Sequence, residues 1–156
     1  MYPKEYFKTL FNLNRDMGQI YFREFENSYE FPDSLNPTHI KTMMFLKFNG
    51  PSPMSSVSKQ LSLEKGSFTS VANRLINSGY VVKQRTEEDK RVFLLKLTDQ
   101  GEHFSNEFGE QHLEYVKKVI GILDESEQTR YLDMIEELLK MNRKLRVALD
   151  ISYLCT

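Results

Sequence analysis

Apolar positions along the chain change their spacing several times, and each change marks a predicted element. Over residues 4–29 the apolar side chains recur every three or four positions, which predicts one long helix. A second helix is predicted to begin at Pro37, because Asn36 is a good N-cap and proline suits the first helical position. Asn49, Gly50 and Pro51 end that helix, since glycine and proline interrupt helical geometry.

Two short helices and then a hairpin are predicted in the middle of the chain. Residues 53–61 and 64–78 have helical spacing, with a turn at Ser62 and Leu63 between them and Gly79 at the end. Two β-rich runs, 80–85 and 92–97, then flank a charged tip. A helix-turn-helix followed by a basic hairpin is the layout of a winged helix, and winged helices usually bind DNA.

Two longer helices are predicted after the hairpin. Thr98 can cap the first of them, and Asp124 with Glu127 three residues later resembles the capping box that opens the last helix. The fold class predicted is therefore mainly α with a small β-hairpin: six helices, with a winged helix-turn-helix lobe and a helical dimerisation region. We expect an N-terminal dimerisation helix at 1–35, the DNA-binding lobe at 36–98 and C-terminal dimerisation helices at 99–156.

The apolar stripes of the first and last helices need a partner surface. Two arrangements supply one: a bundle within the chain, or the same surfaces of a second copy. Because winged helices on DNA are so often paired, the sequence favours a two-fold homodimer.

Composition describes an ordinary soluble protein, with 40% hydrophobic and 28% charged residues. No apolar run is long enough for a membrane span, and the single cysteine, Cys155, cannot form an internal disulfide, so we expect a cytoplasmic protein. The net charge is −1, yet from Lys59 to Arg91 seven basic and four acidic residues leave +3, against −4 for the remainder. Such a positive segment suits the attraction of phosphates.

The helix at residues 64–78 has two contrasting faces. Phe68, Val71, Ala72 and Leu75 recur at helical spacing and are predicted to face the core. The opposite side carries short polar side chains that can approach base edges and phosphates, and a glycine that lets the backbone come close. The predicted DNA contacts on this helix are Lys65, Gly66, Ser67, Thr69, Ser70, Asn73 and Arg74.

Three motifs resemble those of the MarR family of transcription regulators. Leu35-Asn36-Pro37 stands where the family usually has leucine–threonine–proline, and Leu97-Thr98-Asp99-Gln100-Gly101 matches leucine–threonine–x–x–glycine. The tip, residues 85–91, is similar to the family's arginine–aspartate–proline–x–aspartate–arginine–arginine wing. It departs at Thr86 and Glu87, where aspartate and proline are usual, and Glu64 stands where a serine or aspartate usually caps the recognition helix.

The resemblance implies roles for the wing residues. Arg91 would enter the minor groove, Asp89 would orient it through a salt bridge, and Lys90 would meet phosphate, with Arg85 as a further DNA contact. The family also implies regulation by a small aromatic or anionic effector bound between the dimer helices and the DNA-binding lobe. The candidates for lining that pocket are Phe11, Tyr21, Phe25 and Met43.

No catalytic motif, metal site or cofactor is predicted. The sequence has no phosphate-binding glycine loop, nucleophile elbow or HExxH, so we expect no enzyme. His103 and His112 are nine residues apart and face opposite sides of a helix, which does not suit a shared metal ion. Two functions remain: a dimeric repressor that binds an inverted-repeat operator, and a winged-helix dimer that serves as a protein-interaction scaffold without specific DNA binding.

Overall fold

The computed structural model describes residues 4–32, 35–85 and 93–150. Helices dominate, and a small antiparallel sheet accompanies them, as the sequence predicts. In chain order the elements are α1 (Lys4–Gly18), a π-helical segment (Gln19–Arg23), α2 (Glu24–Ser28), α3 (Pro37–Asn49), β1 (Ser52–Pro53), α4 (Met54–Gln60), α5 (Lys65–Asn77), β2 (Val81–Arg85), β3 (Phe93–Leu97), α6 (Asp99–Ile120) and α7 (Glu125–Ala148).

The first three elements form one continuous helical rod, which we call the N-terminal rod. Gly18 and Glu24, on either side of the π-helical segment, both have right-handed helical backbone angles. The prediction of a single long helix is therefore confirmed, and the rod contains one wide turn that the sequence did not predict. Wide turns of this kind occur often at functional sites.

Capping residues fix where three of the helices begin, and all three were predicted. The Asn36 side chain accepts hydrogen bonds from the amides of Thr38 and His39, at 3.0 and 3.2 Å. Thr98 Oγ1 accepts from the Gly101 amide at 3.1 Å. Asp124 and Glu127 form a reciprocal capping box at the start of α7.

The sheet has three strands, in the order β1-β3-β2, and both pairings are antiparallel. The hairpin of β2 and β3 was predicted, whereas β1 was not. Ser52 and Pro53 pair with Leu95 and Leu94, so the residue predicted to open α4 instead ends a two-residue edge strand. A strand this short has no recognisable alternation in the sequence.

The hydrophobic core lies in the winged lobe and under the first half of α6. Its fully buried side chains come from α3, α4, α5 and the sheet, and α6 closes one side with Phe104 and Phe108. Those that are at most 1% exposed and apolar are Met43, Val57, Phe68, Ala72, Leu75, Val81 and Leu95. The core thus holds α5 rigidly by one face.

Large apolar side chains remain exposed on the N-terminal rod and on α7. Phe7 is 77% exposed and Leu145 is 58% exposed. Within the described range of α7, no side chain is buried in the single chain. None of the helices in the described part of the chain has the length and apolar character needed to cross a bilayer.

Candidate nucleic-acid interface

α5 presents a polar face to solvent and an apolar face to the core. Phe68, Ala72 and Leu75 are buried, which fixes the rotation of the helix about its axis. The residues of α5 predicted to contact DNA lie on the opposite face. Six of them are exposed: Gly66, Ser67, Thr69, Ser70, Asn73 and Arg74. The Lys65 backbone opens the helix, and its side chain lies outside what the structure describes.

The turn between α4 and α5 sets the angle at which α5 leaves the lobe. Ser62 has a φ of 54°, a left-handed conformation, and the amides of Leu61 and Leu63 donate to the carbonyls of Val57 and Ser58. Glu64 occupies the N-cap position of α5 but makes no side-chain cap hydrogen bond. A glutamate is too long to cap as serine or aspartate does, which agrees with its departure from the family pattern.

His39 links the start of α3 to the charge on α5. Its Nδ1 accepts a hydrogen bond from the Asn36 amide at 3.1 Å, and the side chain is 6% exposed. Burial, and then the positive charge of Arg74, lower the pKa of His39 below its ordinary value of 6.5. The ring is therefore neutral at physiological pH, since a protonated Nδ1 could not accept this bond.

The wing is described as far as Arg85 on one strand and from Phe93 on the other. The Arg85 guanidinium carbon lies 5.2 Å from the centre of the Phe93 ring. Asp89, Lys90 and Arg91, to which the resemblance assigns minor-groove and phosphate contacts, lie outside the described residues.

The base of the wing is fixed tightly against the start of α6. Thr98 Oγ1 donates to the Gly79 carbonyl at 2.6 Å while it accepts from the Gly101 amide. A Cβ atom at Gly101 would lie 2.1 Å from the Tyr80 carbonyl oxygen. The threonine hydroxyl of the motif thus makes two hydrogen bonds, and its glycine permits a close approach that any side chain would block.

An apolar cavity of about 430 Å³ lies between the N-terminal rod, α3 and α6. Its lining includes Phe25, Met44 and Phe108, together with Gly109 and His112 of α6. At its rim Lys41 and Glu26 form an ion pair at 3.0 Å. The cavity could therefore enclose an aromatic ring and offer a charged group to a polar substituent.

Of the four predicted pocket residues, Phe25 lines this cavity and the other three lie elsewhere among the described residues. Met43 is fully buried in the core, whereas its neighbour Met44 faces the cavity. Phe11 is 61% exposed on α1. The Tyr21 hydroxyl donates to the Tyr131 hydroxyl at 2.8 Å and so faces α7. Consecutive helical positions are about 100° apart, so an error of one residue selects the wrong face.

His112 is a further cavity residue that the sequence did not predict. Its ring stacks on Phe25 with centroids 4.5 Å apart, and its Nε2 donates to the Tyr21 carbonyl at 2.6 Å. One turn on, the Tyr115 hydroxyl donates to the Ile20 carbonyl at 2.7 Å. Both carbonyls belong to the π-helical segment, so α6 is tied to the wide turn of the rod. In the sequence, His112 lies on the same helical stripe as Phe104, Phe108 and Tyr115, and this position could have indicated that it faces the interior.

The other histidine of α6 has different surroundings. His103 is exposed and lies 3.4 Å from Glu107. Across the described ranges, no group of three or more histidine, cysteine, aspartate or glutamate side chains is arranged to hold a metal ion.

Comparison with known proteins finds similarity to one family. The sequence pattern of the MarR family matches residues 33–92. The HTH-type transcriptional regulator MhqR of Bacillus subtilis (strain 168) is 25% identical over 114 residues, which span 73% of this chain and 76% of MhqR.

Two solved structures share the fold. A MarR family protein from Bacillus stearothermophilus superposes with a TM-score of 0.69 at 19% identity, over 89% of this chain and 94% of that one. BpsR of Bordetella bronchiseptica, whose DNA binding is regulated by 6-hydroxynicotinic acid, has a TM-score of 0.61 at 19% identity, over 83% and 98%. Over residues 33–92 the chain is thus similar in sequence to the MarR family of transcription regulators, and over most of its length it shares the fold of MarR family proteins.

Proposed function

We propose that the chain is a homodimeric repressor that reads an inverted-repeat operator through α5 of each protomer. The observation that carries the proposal is the contrast between the two faces of α5. One face is locked into the core, while the other exposes hydroxyl, amide and guanidinium groups over two turns. Asparagine and arginine can make paired hydrogen bonds to adenine and guanine. A dimer on its operator excludes other proteins from the same DNA, which favours repression.

Dimer formation through the N-terminal rod and the C-terminal helices is supported by their exposed apolar side chains. Tyr6, Phe7 and Leu10 of α1 are each more than 60% exposed, as are Ile122 and Val147 near the ends of α6 and α7. A single chain leaves this surface in water, whereas a second copy would cover it. Sedimentation at micromolar concentration should give twice the mass of the chain, and a one-chain mass would contradict the proposal.

Effector binding is proposed for the cavity beside Phe25. Its volume of about 430 Å³ suits a molecule of one or two rings, and an anionic substituent could exchange with the Glu26 carboxylate as the partner of Lys41. The regulation of BpsR by 6-hydroxynicotinic acid supports an aromatic acid as the class of effector. A ligand wedged between the rod and α3 would change the spacing of the two lobes, so that they no longer match their half-sites.

The effector proposal is tested with a panel of hydroxybenzoates and hydroxynicotinates, scored by release of bound DNA. Gly109→Leu should abolish release by any active compound while DNA binding remains, because the new side chain would fill the cavity that Gly109 lines. Gly109→Ala is the matched control, since its Cβ would meet only Met44 at 3.9 Å. Release that persists in Gly109→Leu would place the effector elsewhere.

The operator proposal is tested by selecting bound duplexes from a random pool. We expect an enriched inverted repeat with half-sites about one helical turn apart. The alternative function, a protein-interaction scaffold without specific DNA binding, predicts that no motif is enriched. Similarity to the MarR family favours the operator, because members of that family bind DNA.

A further inference from the structure

Arg85 and Phe93 form a cross-strand pair at the outer end of the described wing. They are register partners in the β2–β3 ladder, and the guanidinium carbon lies 5.2 Å from the ring centre. Both side chains are exposed, and 41% of the Phe93 surface is accessible. The distance is within the range of a cation–π contact.

The two residues continue a row that begins in the core. Side chains alternate across a strand, so Val81 shares a face with Arg85, and Leu95 and Leu97 share a face with Phe93. Val81, Leu95 and Leu97 are buried, whereas Lys83 on the same face is exposed, and Phe93 is the apolar member of the row that extends beyond the core. An exposed phenylalanine there adds little packing to the lobe, yet it gives the neighbouring guanidinium a flat surface.

We propose that Phe93 is a positioning residue for DNA binding, which holds the Arg85 guanidinium ready to meet a backbone phosphate. A ring face contacts the plane of the guanidinium and leaves its N–H edges free to donate. An arginine that is already ordered loses less conformational freedom when it binds. The inference rests on the DNA-binding function, but it concerns a phosphate contact, which requires no particular base sequence.

A double-mutant cycle on one duplex of arbitrary sequence, about three helical turns long and at low salt, tests the inference. Phe93→Leu should weaken binding about two- to fivefold, the factor that an exposed cation–π contact provides, and leave the salt slope unchanged. Arg85→Ala should lower the slope of log K against log salt by about one unit. The double variant should bind like Arg85→Ala alone, and Phe93→Tyr, which retains the ring, should bind like the wild type.

Two results would overturn the inference. One is unchanged affinity in Phe93→Leu, and the other is an equal loss from Phe93→Leu in the Arg85→Ala background, which would mean that the ring touches DNA itself or shapes the hairpin. Melting temperatures of all four variants verify that each is folded. Because the duplex has arbitrary sequence, this result is separate from the operator selection, which alone decides the proposed sequence-specific function.

Discussion

At the scale of single residues, the effect of adding one Cβ atom at a glycine depends on what surrounds that glycine. Gly101 lies where the first turn of α6 touches the backbone of the wing base, whereas a Cβ atom at Gly66 would meet nothing within 4 Å. Both glycines are helical, but they differ in what surrounds them. Substitution by alanine should therefore change stability in opposite directions.

Gly101→Ala should lower the free energy of unfolding by about 2–3 kcal/mol, because a clash with backbone cannot be relieved by rotating a side chain. Gly66→Ala, the matched control, should raise it by up to about 1 kcal/mol through helix propensity. Urea unfolding at one fixed protein concentration measures both. Equal effects of the two substitutions would contradict the close approach at Gly101.

His39 should make stability depend on pH. Its pKa is lowered in the folded state, so the unfolded chain takes up a proton first as the pH falls. Stability should be fully present above pH 6.5 and should decline below it, until the folded-state pKa is passed. Protonation would also remove the acceptor for the Asn36 amide. His39→Gln retains an acceptor at this capping position and does not titrate.

The measurement is the free energy of unfolding from pH 8 to pH 5, compared between the wild type and His39→Gln. The free energy of unfolding of the wild type, relative to that of His39→Gln, should fall toward pH 5. This fall should be less than about 1.4 kcal/mol per pH unit, the limit for one titrating group. Parallel curves would show that His39 does not titrate in this window.

Which residues the sequence could place depended on how local their chemistry is. Asn36, Thr98 and Asp124 were predicted as caps because a cap bonds within three residues of itself. Met43 was predicted to line the pocket, but it lies in the core, and Met44 lines the cavity instead. The packing of α3 against the sheet decides which side of the helix faces the core, and the sequence does not show that packing. His39 lies three residues after Asn36, which is the spacing of a capping box, but histidine is not the usual residue at that position.

At the scale of elements, the π-helical segment is the feature with the most consequences. It widens the N-terminal rod at Gln19–Arg23 and turns the carbonyls of Ile20 and Tyr21 toward donors on α6. Apolar spacing cannot reveal one additional residue in a turn, so the sequence predicted the rod without the segment. The two-residue strand β1 was missed for a similar reason, because its pairing with β3 is a tertiary contact.

His112→Ala should destabilise the protein by about 2 kcal/mol, since it removes a hydrogen bond and an aromatic stack at once. His103→Ala on the same helix is the control, and it should change stability by less than about 0.5 kcal/mol because His103 is exposed. Thermal or urea unfolding of the two variants gives the comparison. A similar small effect for both would show that α6 does not depend on the rod.

At the scale of the whole molecule, a single chain leaves many large apolar side chains of the N-terminal rod and α7 exposed to solvent. The winged lobe has a closed core, while α7 has no buried side chain over its described length. The sequence predicted the stripes on these helices and the need for a partner, but a single chain cannot give the geometry of the dimer. Pairing of two lobes at a fixed distance is what would make an inverted repeat readable.

The double substitution Leu138→Glu and Leu145→Glu should convert the proposed homodimer into monomers, because it places charges on the apolar side of α7. Both leucines are more than 40% exposed in the single chain and lie two helical turns apart. Arg143→Glu, on the opposite side of the same helix, should leave the dimer intact. Sedimentation velocity distinguishes these outcomes, and a double variant that remains dimeric would place the interface elsewhere.

The most direct measurement is the ratio of affinities for the selected duplex and a scrambled one, in the wild type and in Asn73→Ala. We predict that the wild type prefers the selected duplex by about a thousandfold or more. Asn73→Ala should lower that ratio by about 5- to 150-fold, the loss of one paired base contact, while binding to the scrambled duplex remains the same. Asn106→Ala on α6 should behave as the wild type. An unchanged ratio in Asn73→Ala would contradict base reading by the exposed face of α5.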